Sequence, residues 1–299
     1  MPEYATFTAV DLSRLPAPAV IEALDYEAIY AAMLARVQQI VPGFDATVES
    51  DPAIAVLQVA AYREFLLRAR VNDAARAVMP AFAVGADLDQ LAALMGVARL
   101  QLAAADPVAG TPATFESDDD FRRRLVLAPE GYSVAGPEGA YIYHALSAAS
   151  EVLDASATSP SAGEVVVTVL SRAEQGVASA GLLATVLAYV SAETRRPLTD
   201  HVTVQAATIV PYQVTAIVRT FAGPDAAIVI AEAQTRLAAY VAESHRIGRD
   251  ITRSAIFAAL HVEGVQNVTL TSPAADIVVS RTQAPYCTAI ALTYSGLGE

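Results

Sequence analysis

Four histidines, one cysteine and a run of aspartates are the side chains from which this chain could build a catalytic or metal site. Their spacing argues against each. His144, His201, His245 and His261 are all more than five residues apart, and no His-Glu-x-x-His element joins any two of them. The pair of imidazoles on one helix face that a metallohydrolase needs is therefore missing. Cys287 is the only cysteine, so an internal disulfide is impossible and a cysteine-built zinc site is not expected. Ser133 lies in the segment GYSVAG of residues 131–136, where the second glycine comes one place too late for a nucleophile elbow. The same glycines do not form the Gly-x-Gly-x-x-Gly pattern that cradles a dinucleotide. Asp118, Asp119 and Asp120 directly follow Ser117. That places them in the first turn of a helix capped by the serine, where the macrodipole favours negative charge. Asp120 is also spaced i,i+4 from Arg124 for an ion pair. No catalytic residue, metal ligand or cofactor is expected.

All 19 basic residues are arginine; the chain has no lysine. Without lysine there is neither a P-loop amine nor a Schiff base. Arg195 and Arg196, and Arg246, Arg249 and Arg253 around the segment HRIGRD of residues 245–250, could grip a phosphate or carboxylate. In a chain of formal net charge −13, pairing between domains or subunits is the commoner use of a guanidinium. The same acidic balance works against a nucleic-acid partner. The longest nearly apolar run, residues 180–192, is too short to cross a bilayer. The first residues, MPEYATFTAVDL, lack the basic start and apolar core of a secretion signal, so synthesis and residence in the cytosol are expected.

The elements that must position these side chains read as follows. An extended start leads into the stiff segment LPAP at residues 15–18. Asp25 then caps a helix with Tyr26, Ile29, Met33, Val37 and Ile40 on one face, stopped at Pro42-Gly43. Asp51-Pro52 opens a second helix, with cap and first-turn proline in their favoured places, and Pro80 ends or bends it. Asp87 caps a third, closing at Gly96. The second helix is the most informative. Helical spacing puts Val56, Ala60, Leu67, Val71, Ala74 and Val78 on one apolar stripe. The rest of its circumference mixes Ile54, Leu57, Val59, Phe65 and Leu66 with Arg63, Arg68, Arg70 and Arg76. Such a helix needs neighbours on more than one side, and its arginines need carboxylates on those neighbours.

Beyond a linker rich in Ala, Pro, Gly and Thr the pattern changes. Helices are expected after Ser117, at 140–149 and at 179–191, with strands at 152–158, 164–170 and 201–207. The last third holds a strand at 210–220, helices at 224–244 and 252–261, and strands at 265–271, 276–280 and about 286–294. The segments IYHALSAASEVLDASATSP (142–160) and IFAALHVEGVQNVTLTSP (256–273) echo one another. Ile142 matches Ile256, Leu146 matches Leu260, and Val152 matches Val265. Internal duplication and shared turn chemistry explain this echo about equally well. The fold class is α+β. A helical N-terminal part (1–102) and a linker (103–115) lead into a middle α+β domain (116–208) and a C-terminal one (209–299).

Several segments together resemble the baseplate J-like family of contractile-tailed phages and R-type bacteriocins. They are LPAPAVIE (15–22), AYRE (61–64), RVNDAARAVM (70–79), GADLD (85–89), ESDDDFR (116–122), GYSVAG (131–136), VLSR (169–172) with GVAS (176–179), Arg196-Pro197, HRIGRD (245–250) and AALHVEGV (258–265). The resemblance runs in order along nearly the whole chain. It implies a structural subunit of the baseplate wedge, with no catalytic residue and no cofactor. In such machines two copies of the subunit join a second wedge protein as a heterotrimer, and six wedges surround a hub. The implied partners are a second copy, another wedge protein, neighbouring wedges, and the hub and sheath-initiating proteins, with no nucleic acid and no membrane insertion. The implied location is the baseplate of a virion or tail-like particle, assembled in the bacterial cytoplasm. On this reading Val56, Ala60, Arg63, Leu67, Arg70, Val71, Ala74 and Val78 serve the shared helical bundle. Arg195, Arg196, Arg246, Arg249 and Arg253 serve domain or inter-wedge contacts. The competing readings are a cell-wall hydrolase using a carboxylate pair, and a module binding a small anion.

Overall fold

The computed structural model describes residues 12, 15, 16, 18–45, 51–223 and 225–298, and these divide into two compact units that part between Arg99 and Leu100. The extended start, Ala17 of the LPAP segment and Pro224 of the expected seventh helix lie outside the described residues.

The first unit is helical. Helix α1 runs Tyr26–Ile40, and the Asp25 carboxylate accepts from the amides of Glu27 and Ala28 at 2.9 and 3.3 Å. Helix α2 runs Pro52–Ala77, with Asp51 accepting from Ala53 N at 2.8 Å. Helix α3 spans Gly85–Ala93. Its start corrects the expected cap: Val84 occupies the N-cap with no side-chain bond, and Asp87 lies in the first turn, where its charge meets the helix dipole instead. Gly96 at φ +68° turns the chain away, as glycine permits. The face of α2 that packs inward carries Ile54, Ala61 and Asn72. Asn72 meets its polar needs there through two bonds to one residue: its Nδ2 donates to Glu22 O at 2.9 Å, and its Oδ1 accepts from Glu22 N at 3.1 Å. That clasp fixes the segment leading into α1 against α2.

The second unit begins with a small irregular hairpin, β1 (Gln101–Ala103) against β2 (Thr114–Phe115), with a bridge between Asp106 and Thr111 nearer its tip. The segment expected as a linker is this hairpin. Helix α4 (Asp118–Leu127) follows, capped by Ser117 Oγ, then α5 (Glu138–Ala148). Strands β3 (Val152–Thr158) and β4 (Glu164–Ser171) pair antiparallel; after α6 (Ala180–Val190), strand β5 (His201–Ala206) joins β4 in parallel. Their core gathers Tyr141, Ile142, Leu146, Val167, Val169, Leu182 and Val186 among others.

One buried residue, Ala207, separates β5 from β6 (Thr208–Thr220). Helices α7 (Ala226–Ser244) and α8 (Arg253–Leu260) follow, then β7 (Val265–Ser272) and β8 (Gln283–Leu297). The second sheet has the order β7-β6-β8, antiparallel on one side of β6 and parallel on the other. Val214, Ala216, Val218, Val229, Leu237, Ile256 and Leu260 lie in its core. Asp276–Ser280 does not form the expected strand. Only Ile277 makes a bridge, to Ile251, while side chains take ladder positions: Asp276 Oδ1 accepts from Arg253 N and Asp250 Oδ1 from Val279 N.

The echoed segments occupy matching places. In each, a helix leads into an edge strand antiparallel to the central strand, and Ile142, Leu146 and Val152 are buried as are Ile256, Leu260 and Val265. The central strand follows the edge strand in the first sheet and precedes it in the second. The two sheets therefore do not share one chain order.

Candidate assembly surfaces

The stripe on α2 faces outward. Val56, Leu67, Val71 and Val78 are 68, 65, 60 and 67% exposed, and Ala60, Arg63, Arg70 and Ala74 are exposed with them. At 3.6 residues per turn this face lies opposite the one carrying Ile54, Ala61 and Asn72. Val59, Tyr62 and Leu66 extend the apolar surface around one flank. Fully burying one such side chain contributes about 1.5–3 kcal/mol, so most of that gain is not realised on this helix. Patches of this kind mark interaction sites. Arg63 and Arg70 have no ion-pair partner among the described residues, whereas Arg68 pairs with Glu64 and Glu22, and Arg76 with Asp73. Beside α2, an open groove of about 380 Å³ has Ala28, Ile29, Ala32 and Met33 on its walls and Glu22, Glu64, Arg36 and Arg68 at its edge.

The loop arginines are placed differently. Arg246 is mostly buried where the two sheets of the second unit meet. Its Nη2 donates to Asp120 Oδ1 at 2.7 Å and its Nη1 to Leu153 O at 3.3 Å. Arg172 reaches the other oxygen of Asp120 at 2.7 Å. Asp154, on β3, accepts from Arg123 at 2.7 Å and from Ile247 N at 2.9 Å. Two carboxylates and three guanidiniums thus join α4, β3 and the loop after α7, around a small apolar cluster of Leu170, Ala207, Ile247 and Ala284. Burial alone would raise the Asp120 carboxyl, but Arg246 and Arg172, with Arg123 further off, outweigh it and hold the group below its ordinary value. Burial lowers the Arg246 guanidinium, and Asp154 and Asp120 partly offset this.

Asp120 is therefore not paired with Arg124 as the local spacing suggested. Arg124 pairs with Glu116, both buried, and lies over the Phe121 ring. Arg195 stacks 3.6 Å from the Tyr189 ring centroid and donates to Tyr189 O, and Arg196 ties its own loop through the carbonyls of Ser191, Pro197 and Asp200. Arg249 makes an exposed pair with Glu243 at 3.0 Å. Arg253 donates to the carbonyls of Pro273 and Leu270. Arg123, Arg172, Arg281, Asp154 and Glu116 were not singled out by sequence reasoning. Glu116 pairs with Arg124 only eight residues on, but the partners of the other four lie far off in the chain, where no local spacing signals them.

Among the described residues no group of three His, Cys, Asp or Glu side chains could hold a metal ion. His261 stands two residues from Glu263, but no third ligand joins them. His144 is buried against the rings of Tyr143 and Tyr189, and burial and the charge of Arg195 lower its pKa. Burial raises the Cys287 thiol, the opposite of an activated nucleophile. Ser133 Oγ accepts from Ala135 N within its own loop. Beside Glu116 and Asp120 the free space is about 10 Å³, too little for a glycan between two carboxylates. No helix among the described residues is long and apolar enough to cross a membrane.

Three family models match successive parts of the chain: the baseplate J-like N-terminal domain over residues 49–106, the baseplate J-like central domain over 133–206, and the baseplate J-like protein C-terminal domain over 185–293. The chain is 47% identical to baseplate protein J of Escherichia phage P2, covering 97% of this chain and 99% of that protein. It also aligns with a chain of the six-fold symmetrised cryo-EM structure of the anti-feeding prophage baseplate. That alignment has 16% identity and a TM-score of 0.38, and covers 62% of this chain and 47% of that one.

Proposed function

The chain belongs to the baseplate J-like family and is a structural subunit of a baseplate, and we propose that it works there as a wedge component. In this reading two copies of the chain join a second wedge protein, and the C-terminal α+β part links neighbouring wedges into a ring around a hub. Contacts with hub and sheath-initiating proteins, assembly in the bacterial cytoplasm and the absence of catalysis belong to the same proposal. The observation that carries it is the outward apolar stripe of α2, about two-thirds exposed at Val56, Leu67, Val71 and Val78. A three-chain bundle would bury that stripe, and Arg63 and Arg70 on the same face are available for carboxylates of the other chains.

The arginines divide by role. Arg246 serves the joint inside the second unit, and Arg195, Arg196 and Arg253 brace their own loops and strands, so the inter-wedge role falls to Arg249, whose pair with Glu243 is exposed. The test is the mass of the complex purified after co-expression with the adjacent tail genes. Two copies of this chain with one of a second protein are expected. A chain that elutes alone and monomeric from that mixture overturns the wedge reading.

A further inference from the structure

Helix α2 is basic in an acidic chain. It carries four arginines against two carboxylates, Glu64 and Asp73, in a chain of net charge −13. Both carboxylates are already engaged on the helix, Glu64 with Arg68 and Asp73 with Arg76. Arg63 and Arg70, with no ion-pair partner among the described residues, are left over. Their place on the helix gives this excess a meaning. At about 100° per residue, Val56 and Ala74 fall on one line along the exposed face. Arg63 and Arg70 lie about 20° and 40° to one side of that line, and Leu67 and Ala60 about 20° and 40° to the other. Val59 and Leu66 lie beyond the arginines, and Val71 lies beyond Leu67. The two guanidiniums therefore sit inside the apolar arc rather than at its rim, one heptad or about 10 Å apart along the axis. Whatever covers the stripe also covers these charges, and a covered guanidinium without a counter-charge is strongly disfavoured.

We infer that the stripe is covered by a helix of a different protein, one that carries two carboxylates seven residues apart within its own apolar face. This deepens the wedge reading, on which it rests for the source of that helix, the second wedge protein. A second copy of the chain does not fit as the cover. Laid on itself in full overlap and antiparallel, the stripe sets Arg63 against Arg70 of the second copy. Laid parallel, it sets each arginine against its own equivalent. Like charges then meet inside an apolar seam in both directions. No helix among the described residues has two carboxylates seven residues apart, so none of them answers the pair. Carboxylates at that spacing meet the two guanidiniums in charge-assisted, bidentate pairs. The pairs also fix the register. A slide of one turn, which apolar side chains alone tolerate, leaves two guanidiniums and two carboxylates covered and unpaired.

The test uses three synthetic helices about as long as α2, leucine-rich along one face. They differ only at two positions seven residues apart within that face, which hold glutamate, glutamine or lysine. Fluorescence anisotropy titrates each against the full chain and against the double variant Arg63→Glu with Arg70→Glu. The glutamate helix is expected to bind the original chain about tenfold or more tighter than the lysine helix, with the glutamine helix between them. In the double variant the order should reverse. Both positions are exposed, and circular dichroism checks that the variant is folded; the series on the original chain stands without it. Equal binding of the three helices, an order that the folded double variant leaves unchanged, or no binding of the glutamate helix at tens of micromolar each overturn the inference. The titration reads this face alone. It can fail while the chain still enters the complex formed on co-expression with the adjacent tail genes, and it can succeed when that complex does not form, so the inference and the wedge reading fall separately.

Discussion

Replacing Arg246 with alanine removes a guanidinium that joins the two halves of the α+β unit. The side chains of Arg246 and Asp120 are 20 and 13% exposed, and their 2.7 Å contact comes with a bond to Leu153 O. Truncating one partner of a buried pair costs about 3–5 kcal/mol when the other charge is left alone. Here Asp120 keeps Arg172 at 2.7 Å, so the loss should be smaller, about 2–3 kcal/mol. The matched control is Arg249→Ala, which breaks an exposed pair with Glu243 and should cost no more than about 0.5 kcal/mol. Urea unfolding followed by circular dichroism compares the two. Amide exchange at Ile247, whose N–H is held by Asp154, should speed up in Arg246→Ala before exchange at Val167, Ala216 and Val218, which are fully buried in the two sheet cores. If Arg246→Ala unfolds at the same urea concentration as Arg249→Ala, the joint does not hold the unit together as described.

Two further outcomes follow from the same geometry. Because the Asp120 carboxyl is held below its ordinary 3.8 in the folded chain, its contribution is complete above about pH 5 and is lost as pH falls through the folded value. Unfolding midpoints measured against pH should fall in acid, and Asp120→Asn should lower the neutral plateau so that the two curves converge at low pH; parallel curves refute this. Under the proposed wedge arrangement the two copies of the chain meet different surroundings, so residues 103–114 should adopt two shapes in an assembled particle. Superposing the copies checks this, and identical hairpins count against it.

The parts of the fold that were legible in the sequence rest on local chemistry. Asp25, Asp51 and Ser117 cap the helices they were expected to cap, because a cap is decided within three residues. The stripe on α2 was legible because helical periodicity fixes which side chains share a face. Asp87 misled because an aspartate suits the first turn as well as the cap, and Gly85 at φ +53° marks the start instead. The apolar run 276–280 looked like a strand, but its amides are met by Asp250 and by Ile251 O, residues fixed by the tertiary fold. The joint was hidden for the same reason. Asp120 finds Arg172 and Arg246, 52 and 126 residues away, rather than Arg124 one turn on. Arginine content alone could not separate guanidiniums that brace the fold from those left for partners.

The central claim, that α2 presents its apolar stripe for other chains to cover, is tested most directly by Leu67→Asp with Val71→Asp. Both side chains are at least 60% exposed, so the isolated variant should keep its circular dichroism and its unfolding midpoint to within about 0.5 kcal/mol. Co-expressed with the adjacent tail genes, it should fail to enter the complex that the original chain forms. A variant that assembles normally would contradict the account.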